Sequence, residues 1–242
     1  MSDCIANAIA LLRKVFEESQ VDQCHGIDHA LTVRMHAKRA CDFVMLGPAQ
    51  LLAIELAALL HDADDRKFFP TSADLDNAKA ICRQVAPHLE VEVIRMISRV
   101  SFSKNGNFID PNLPSWLLIA RWCDRIEATG RIGIWRCYVF SMDRKRPLMS
   151  PEDRLPRNRE ELELLASPER FEIYLKTKGT CSTSFIGHFY DKILHLRVET
   201  GNPYIDARLA EGHEEIVQFL LAFNPTDPMA TLGPIIEQFG GH

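Results

Sequence analysis

The sequence predicts an all-α fold, a single helical domain, on three observations. Apolar residues recur at three- and four-residue steps along most of the chain. No alternating run longer than about four residues is convincing as a strand. No internal repeat and no low-complexity segment interrupts the pattern.

Ile5, Ile9, Leu12 and Phe16 mark an amphipathic first helix. Asp28 is placed to cap a second helix running from His29 toward Phe43, with Val33, Ala37 and Ala40 on one side. Gly47-Pro48 breaks the chain, and Pro48 can open a third helix through Leu51, Leu52, Ile54, Leu56, Leu59 and Leu60. That helix is apolar on nearly all sides and should be buried; it ends at His61-Asp62. Further helices are expected at 74–85, 89–100, 114–129, 182–196 and 205–223. Val139 to Met142 is too short to support a sheet. Pro151, Pro156 and Pro168 punctuate the charged stretch between Met142 and Arg170, which reads as a surface insertion or loop region.

The 242 residues are 46% hydrophobic and 25% charged, with a net charge of -5. These are the proportions of a soluble globular protein long enough to bury a full core. The mild acidity argues against a protein that grips nucleic acid phosphates. It leaves room for a small anionic substrate, since a local cation cluster can outweigh the sum. The longest apolar run, Leu51 to Leu60, is interrupted by Glu55 and is about half of a membrane span. The seven cysteines (4, 24, 41, 82, 123, 137 and 181) are scattered and never form Cys-x-x-Cys, so reduced thiols are expected. Met1-Ser2-Asp3-Cys4 carries no secretory pattern, which points to a cytoplasmic protein.

Three places put polar residues on apolar helices. In Leu59-Leu60-His61-Asp62 a His-Asp pair closes the most apolar helix, which costs desolvation unless the pair is satisfied. A divalent metal would satisfy it; so would an ordinary C-cap with the acids in solvent. Imidazole with carboxylate suits Mn, Fe, Co, Ni or Zn, whereas Mg prefers more oxygen. His29 opens the second helix in His25-Gly26-Ile27-Asp28-His29. Asp124, in Trp122-Cys123-Asp124-Arg125, sits on or beside the apolar face of a helix marked by Leu117, Leu118, Ala120 and Ile126. Each has an ordinary structural explanation in isolation. The remaining histidines (36, 88, 195, 213 and 242) have no partner at ligand spacing and read as surface or packing residues. Trp116, Trp122 and Trp135 read as core anchors.

Taken in order, His29, His61-Asp62 and Asp124 resemble the H…HD…D pattern of the HD superfamily of metal-dependent phosphohydrolases. Residues 57–69, Ser101-Phe102-Ser103-Lys104-Asn105, Asp124 to Gly130, Gly133-Ile134 and His188 to Leu194 resemble a small-protein branch of it, so the likeness spans about 20–223. The branch often begins His-Asp-x-x-His; here Gly26 replaces that Asp, and Asp28 precedes His29.

The resemblance implies one HD-type domain over 1–242, with a core at about 20–130 and C-terminal helices at about 182–223 packing on it. It implies His29, His61, Asp62 and Asp124 as ligands of a divalent ion, Mn foremost, with Mg, Co, Ni, Fe or Zn as alternatives. It implies Asp65, three residues after Asp62, as the general base. Arg66 and Lys67 would bind phosphate, or pair with Asp64 or Asp65. Lys104 is a further phosphate candidate. Arg125 is more simply the partner of an acid, and Lys192, Arg208 and His188 read as helix-surface residues.

The activity implied is hydrolysis of a nucleoside triphosphate to monophosphate and pyrophosphate. The alternatives are a phosphatase or phosphodiesterase for another small phosphate, and a regulatory module that binds nucleotide without turnover. A diiron oxygenase is disfavoured, because no further His-rich motif stands where a second metal needs it. The expected partner is a small anionic substrate, with no membrane and no nucleic acid; homo-oligomerisation is left open.

Overall fold

The computed structural model describes residues 2–22, 25–72 and 74–240. Cys24 and His242 lie outside the described residues. The helices run α1 (Ser2–Glu18), α2 (Ile27–Cys41), α3 (Pro48–Leu60), α4 (Asp76–Val85), α5 (Glu90–Ile97), α6 (Phe102–Asn105) and α7 (Ile119–Ile126). They continue as α8 (Gly130–Asp143), α9 (Arg159–Leu165), α10 (Pro168–Lys176), α11 (Phe185–Asp191), α12 (Pro203–Ala222) and α13 (Met229–Phe239). No strand occurs among the described residues, so the all-α expectation holds. The chain divides into two compact units, Met1–Asp124 with Thr200–Ile205, and Arg125–Glu199 with Asp206–His242.

In the first unit α3 is the central element. Its Ala53, Ile54, Leu56, Ala57, Ala58, Leu59 and Leu60 are all fully buried, as an all-round apolar helix requires. It packs against α1, α2 and α5. Each fully buried Leu or Ile contributes roughly 1.5–3 kcal/mol, so the end of α3 is held in a firm frame. The cap of α2 differs from expectation. Gly26 is its N-cap, without a side-chain bond, and Asp28 lies inside the first turn, where its charge faces the positive helix end. His36, further along α2, is buried, and its Nδ1 lies 2.6 Å from Tyr204 Oη. Asn202 donates its side-chain amide to the Ala40 carbonyl at 2.9 Å, which fastens residues 200–205 to the end of α2. Trp122 is buried, as a core anchor should be.

In the second unit the stretch expected to be a loop, 142–170, contains the whole of α9 and the start of α10. The cap signals are present in the sequence. Asn158 accepts a hydrogen bond from the Glu161 N–H at 2.9 Å, and Ser167 caps α10 ahead of Pro168. Pro151, Pro156 and Pro168 mask these signals along the chain. Val139–Met142 is part of α8, and α13 is an element beyond the expected helices, with Pro234 inside it. Trp135 of α8 meets Phe239 of α13 with ring centres 6.1 Å apart. At the start of α8, Gly130 has φ +66° and Gly133 runs so close to Ala128 that a Cβ there would lie 2.4 Å from its carbonyl oxygen. Both glycines are therefore demanded by backbone geometry.

The six described cysteines are all free. No described helix is long and apolar enough to cross a membrane.

Candidate metal centre

Four side chains from three helix ends or faces meet in the first unit. His29 stands in the first turn of α2, His61 is the C-cap of α3 with Asp62 next to it, and Asp124 is on α7. His29 Nε2 lies 3.4 Å from Asp124 Oδ1 and 3.7 Å from Asp62 Oδ2. His61 Nε2 lies 3.3 Å from Asp62 Oδ2 and 3.5 Å from Asp124 Oδ1. One ligand atom each from His29, His61 and Asp124 fits within 4.8 Å of the others. Asp62 stands against both imidazoles.

The spacing is informative. Good N–H···O hydrogen bonds fall at about 2.7–3.2 Å, and all four separations exceed that. Atoms about 2.1 Å from a shared ion stand roughly 3.0 Å apart in an octahedral arrangement and 3.4 Å apart in a tetrahedral one. The side chains are thus spaced as co-ligands more than as hydrogen-bonded partners. His61 Nε2 is fully buried and has no hydrogen-bond partner of proper geometry. Its Nδ1 donates to the Ala58 carbonyl at 2.8 Å, so in the neutral ring that a metal requires the lone pair stands on Nε2. Two neutral imidazoles and two carboxylates suit a divalent transition ion in charge and in donor type. The residues present therefore fit a metal of that class.

Electrostatics point the same way. Burial works against a charged His61, but the carboxylates of Asp62 and Asp124 outweigh it and hold the imidazole well above its ordinary pKa. Burial likewise opposes charge on Asp62 and Asp124, and the imidazoles of His61 and His29 outweigh it and keep both below the usual carboxylate range. The centre favours positive charge.

The other sequence candidates are placed less closely. Asp65 accepts a hydrogen bond from the Lys67 N–H at 3.0 Å, and Lys67 Nζ is 3.7 Å from Asp65 Oδ2. Lys67 Nζ also lies 3.2 Å from His25 Nε2, and His25 Nδ1 lies 2.8 Å from Asp22 Oδ1. Arg66 is exposed, and so is Lys104 on the short helix α6. None of Asp65, Arg66, Lys67 and Lys104 is in the compact triplet.

Two residues behave differently from the sequence reading. Asp64 is buried, where an acid in solvent was one expectation for the Asp64-Asp65 pair. It accepts hydrogen bonds from Ser72 Oγ, from the Asn77 N–H at 2.9 Å and from the Ala78 N–H at 3.0 Å, tying the loop after α3 to the start of α4. His188 is buried in the second unit, not on a helix surface. The signal for Asp64 was the Asp-rich turn itself; nothing in sequence singles out which acid turns inward.

No protein-family model matches the chain. The chain is 35% identical over 217 residues to the uncharacterized protein L803 of Acanthamoeba polyphaga mimivirus, covering 82% of this chain and 88% of that one. Among solved structures, a Lactobacillus plantarum protein matches with a TM-score of 0.64 and 18% identity over 91% of this chain and 94% of its own. The Lin1889 protein of Listeria innocua matches at 0.60 and 22% identity, over 91% and 93% of the two chains. A Bacillus thuringiensis protein described as an HD-superfamily hydrolase matches at 0.60 and 17% identity, over 100% and 99%.

Proposed function

On the premise that this chain belongs to one family with the mimivirus L803 protein and has the fold of an HD-superfamily hydrolase, we propose that it is a metal-dependent phosphohydrolase. Its substrate in this reading is a nucleotide, most simply a nucleoside triphosphate cut to monophosphate and pyrophosphate. The observation that carries the reading is the convergence of His29 Nε2, His61 Nε2 and Asp124 Oδ1, with Asp62 beside them. The nucleotide rests on the sequence resemblance.

His29, His61, Asp62 and Asp124 hold the ion, manganese in this reading. Such an ion supplies a bound water of lowered pKa and offsets phosphoryl charge. Asp65 takes the proton of the attacking water. Arg66, Lys67 and Lys104 supply positive charge to the phosphates. The Lys67–Asp65 pair is half-exposed and of the kind worth only about 0–1 kcal/mol, so Lys67 can exchange that partner for a phosphate at little cost.

The test is a turnover panel of nucleotides with Mn, Mg, Co, Ni and Zn. Pyrophosphate release from a triphosphate, with a drop of roughly 10²–10⁴-fold in Asp65→Asn, supports the reading. Phosphate release instead assigns the protein as a phosphatase. Tight nucleotide binding with no product under any metal assigns a regulatory module.

A further inference from the structure

A second cluster, wholly within the second unit, has no part in the metal centre. The segment Asp143-Arg144-Lys145-Arg146 leaves the end of α8. The guanidinium carbons of Arg144 and Arg146 lie 4.6 and 5.2 Å from the centre of one ring, Phe140. Two cations gathered on one ring attract its π-face but repel each other.

Arg146 makes its backbone hydrogen bond to the Ser141 carbonyl at 2.8 Å, while its Nη1 is buried without a hydrogen-bond partner. Arg146 has no ion-pair partner among the described residues. Ser141 is wholly buried; its hydroxyl neighbours the Cys137 thiol and finds no oxygen or nitrogen partner. Buried donors of this kind are rare in native proteins, and an ion or water ordinarily accounts for them.

Two buried acids of this unit, Asp191 and Asp153, are engaged elsewhere. Asp191 takes Arg170 and Ser182 Oγ, and Asp153 takes Ser184 Oγ and the Ser150 N–H. His188 closes another side, its ring 6.4 Å from Phe140 and its Nδ1 3.2 Å from Ser182 Oγ. Burial, followed by the charges of Lys192 and Arg146, holds His188 well below its ordinary pKa. Burial pushes the Cys137 thiol up to about 12, against the pull of the same two cations. Lys192 and Arg146 therefore act on one locus from different segments.

We propose that Arg146, with Arg144 on the same Phe140 ring, forms an oxyanion-binding site for a phosphoryl or pyrophosphoryl group. Arg146 offers the planar fork that suits two oxygens of one phosphate, and Arg144 shares the charge. Lys192 adds to the positive field. The ligand is either a free inorganic anion or the phosphate tail of a larger molecule; the chemistry recognised is the same. The site does not depend on the reading of the metal centre.

The experiment is calorimetric titration of EDTA-treated protein with inorganic pyrophosphate and, in a parallel arm, with a nucleoside triphosphate. Both should bind, with pyrophosphate tighter if the ligand is the free anion and the triphosphate tighter if it is a tail. Arg146→Gln should weaken binding by 10-fold or more, Arg146→Lys by less, and the exposed Arg144→Gln by several-fold. Asp124→Asn, which disables the metal centre, should bind pyrophosphate as the unsubstituted protein does. Absence of binding by the unsubstituted protein overturns the site. So does unchanged affinity in Arg144→Gln together with a folded Arg146 variant, or loss of binding in Asp124→Asn.

Discussion

His61 donates its Nδ1 proton to the carbonyl of Ala58, one turn back on its own helix, at 2.8 Å. That bond aims Nε2 at Asp62 and Asp124 and decides which nitrogen of the neutral ring carries the lone pair. The buried last turn of α3 thus orients the candidate ligand.

Removing a ligand should therefore cost metal affinity more than fold. Manganese at 100 times its Kd should stabilise the unsubstituted protein by about 2.7 kcal/mol, reversed by EDTA. In His61→Ala and Asp124→Ala the affinity should fall by more than about 100-fold, the upper range for disturbing a ligand's support alone. Metal titration followed by thermal unfolding reads both effects. Undiminished affinity in either variant places the ion elsewhere.

Neighbouring acids should separate by role. Asp64 is buried and accepts from two backbone N–H groups at α4 and a serine hydroxyl, so Asp64→Ala should lose about 2 kcal/mol of stability in urea unfolding without metal. Asp65 accepts one exposed N–H, and Asp65→Ala should lie within about 0.5 kcal/mol of the unsubstituted protein. Equal losses would contradict these assignments.

Stability should also carry a histidine signature from the second unit. Burial, then Lys192 and Arg146, depresses His188; burial leads the causes that lower His195 and His213 as well. The folded protein keeps these imidazoles neutral while the unfolded chain binds protons below a pH of about 6.5. Their contribution is fully present above that pH and is lost as pH falls through it. Urea midpoints with EDTA at pH 8 and pH 5.5 should differ less in His188→Gln than in the unsubstituted protein. An identical difference would show that His188 is not held neutral.

The pattern of apolar spacing was sufficient for the helical class and for the buried character of α3, because an all-round apolar helix has no stable place but a core. The same pattern picked out His61-Asp62 as costly unless satisfied. Local cap rules erred where two signals competed. Gly26, not Asp28, precedes the first turn of α2, and the prolines at 151, 156 and 168 hid two capped helices.

What sequence determined by itself was the helical periodicity, the ligand-type residues and their order, since these depend on spacing and side-chain chemistry along one chain. Tertiary structure alone decided that His29, His61 and Asp124 share one locus, because helices distant in sequence must pack before their side chains meet. It alone decided that Asp64 turns inward while Asp65 faces Lys67, since the free N–H groups of α4 come within reach only after the chain has turned back. It also decided that Arg144 and Arg146 share one aromatic ring, a placement no charge count reveals.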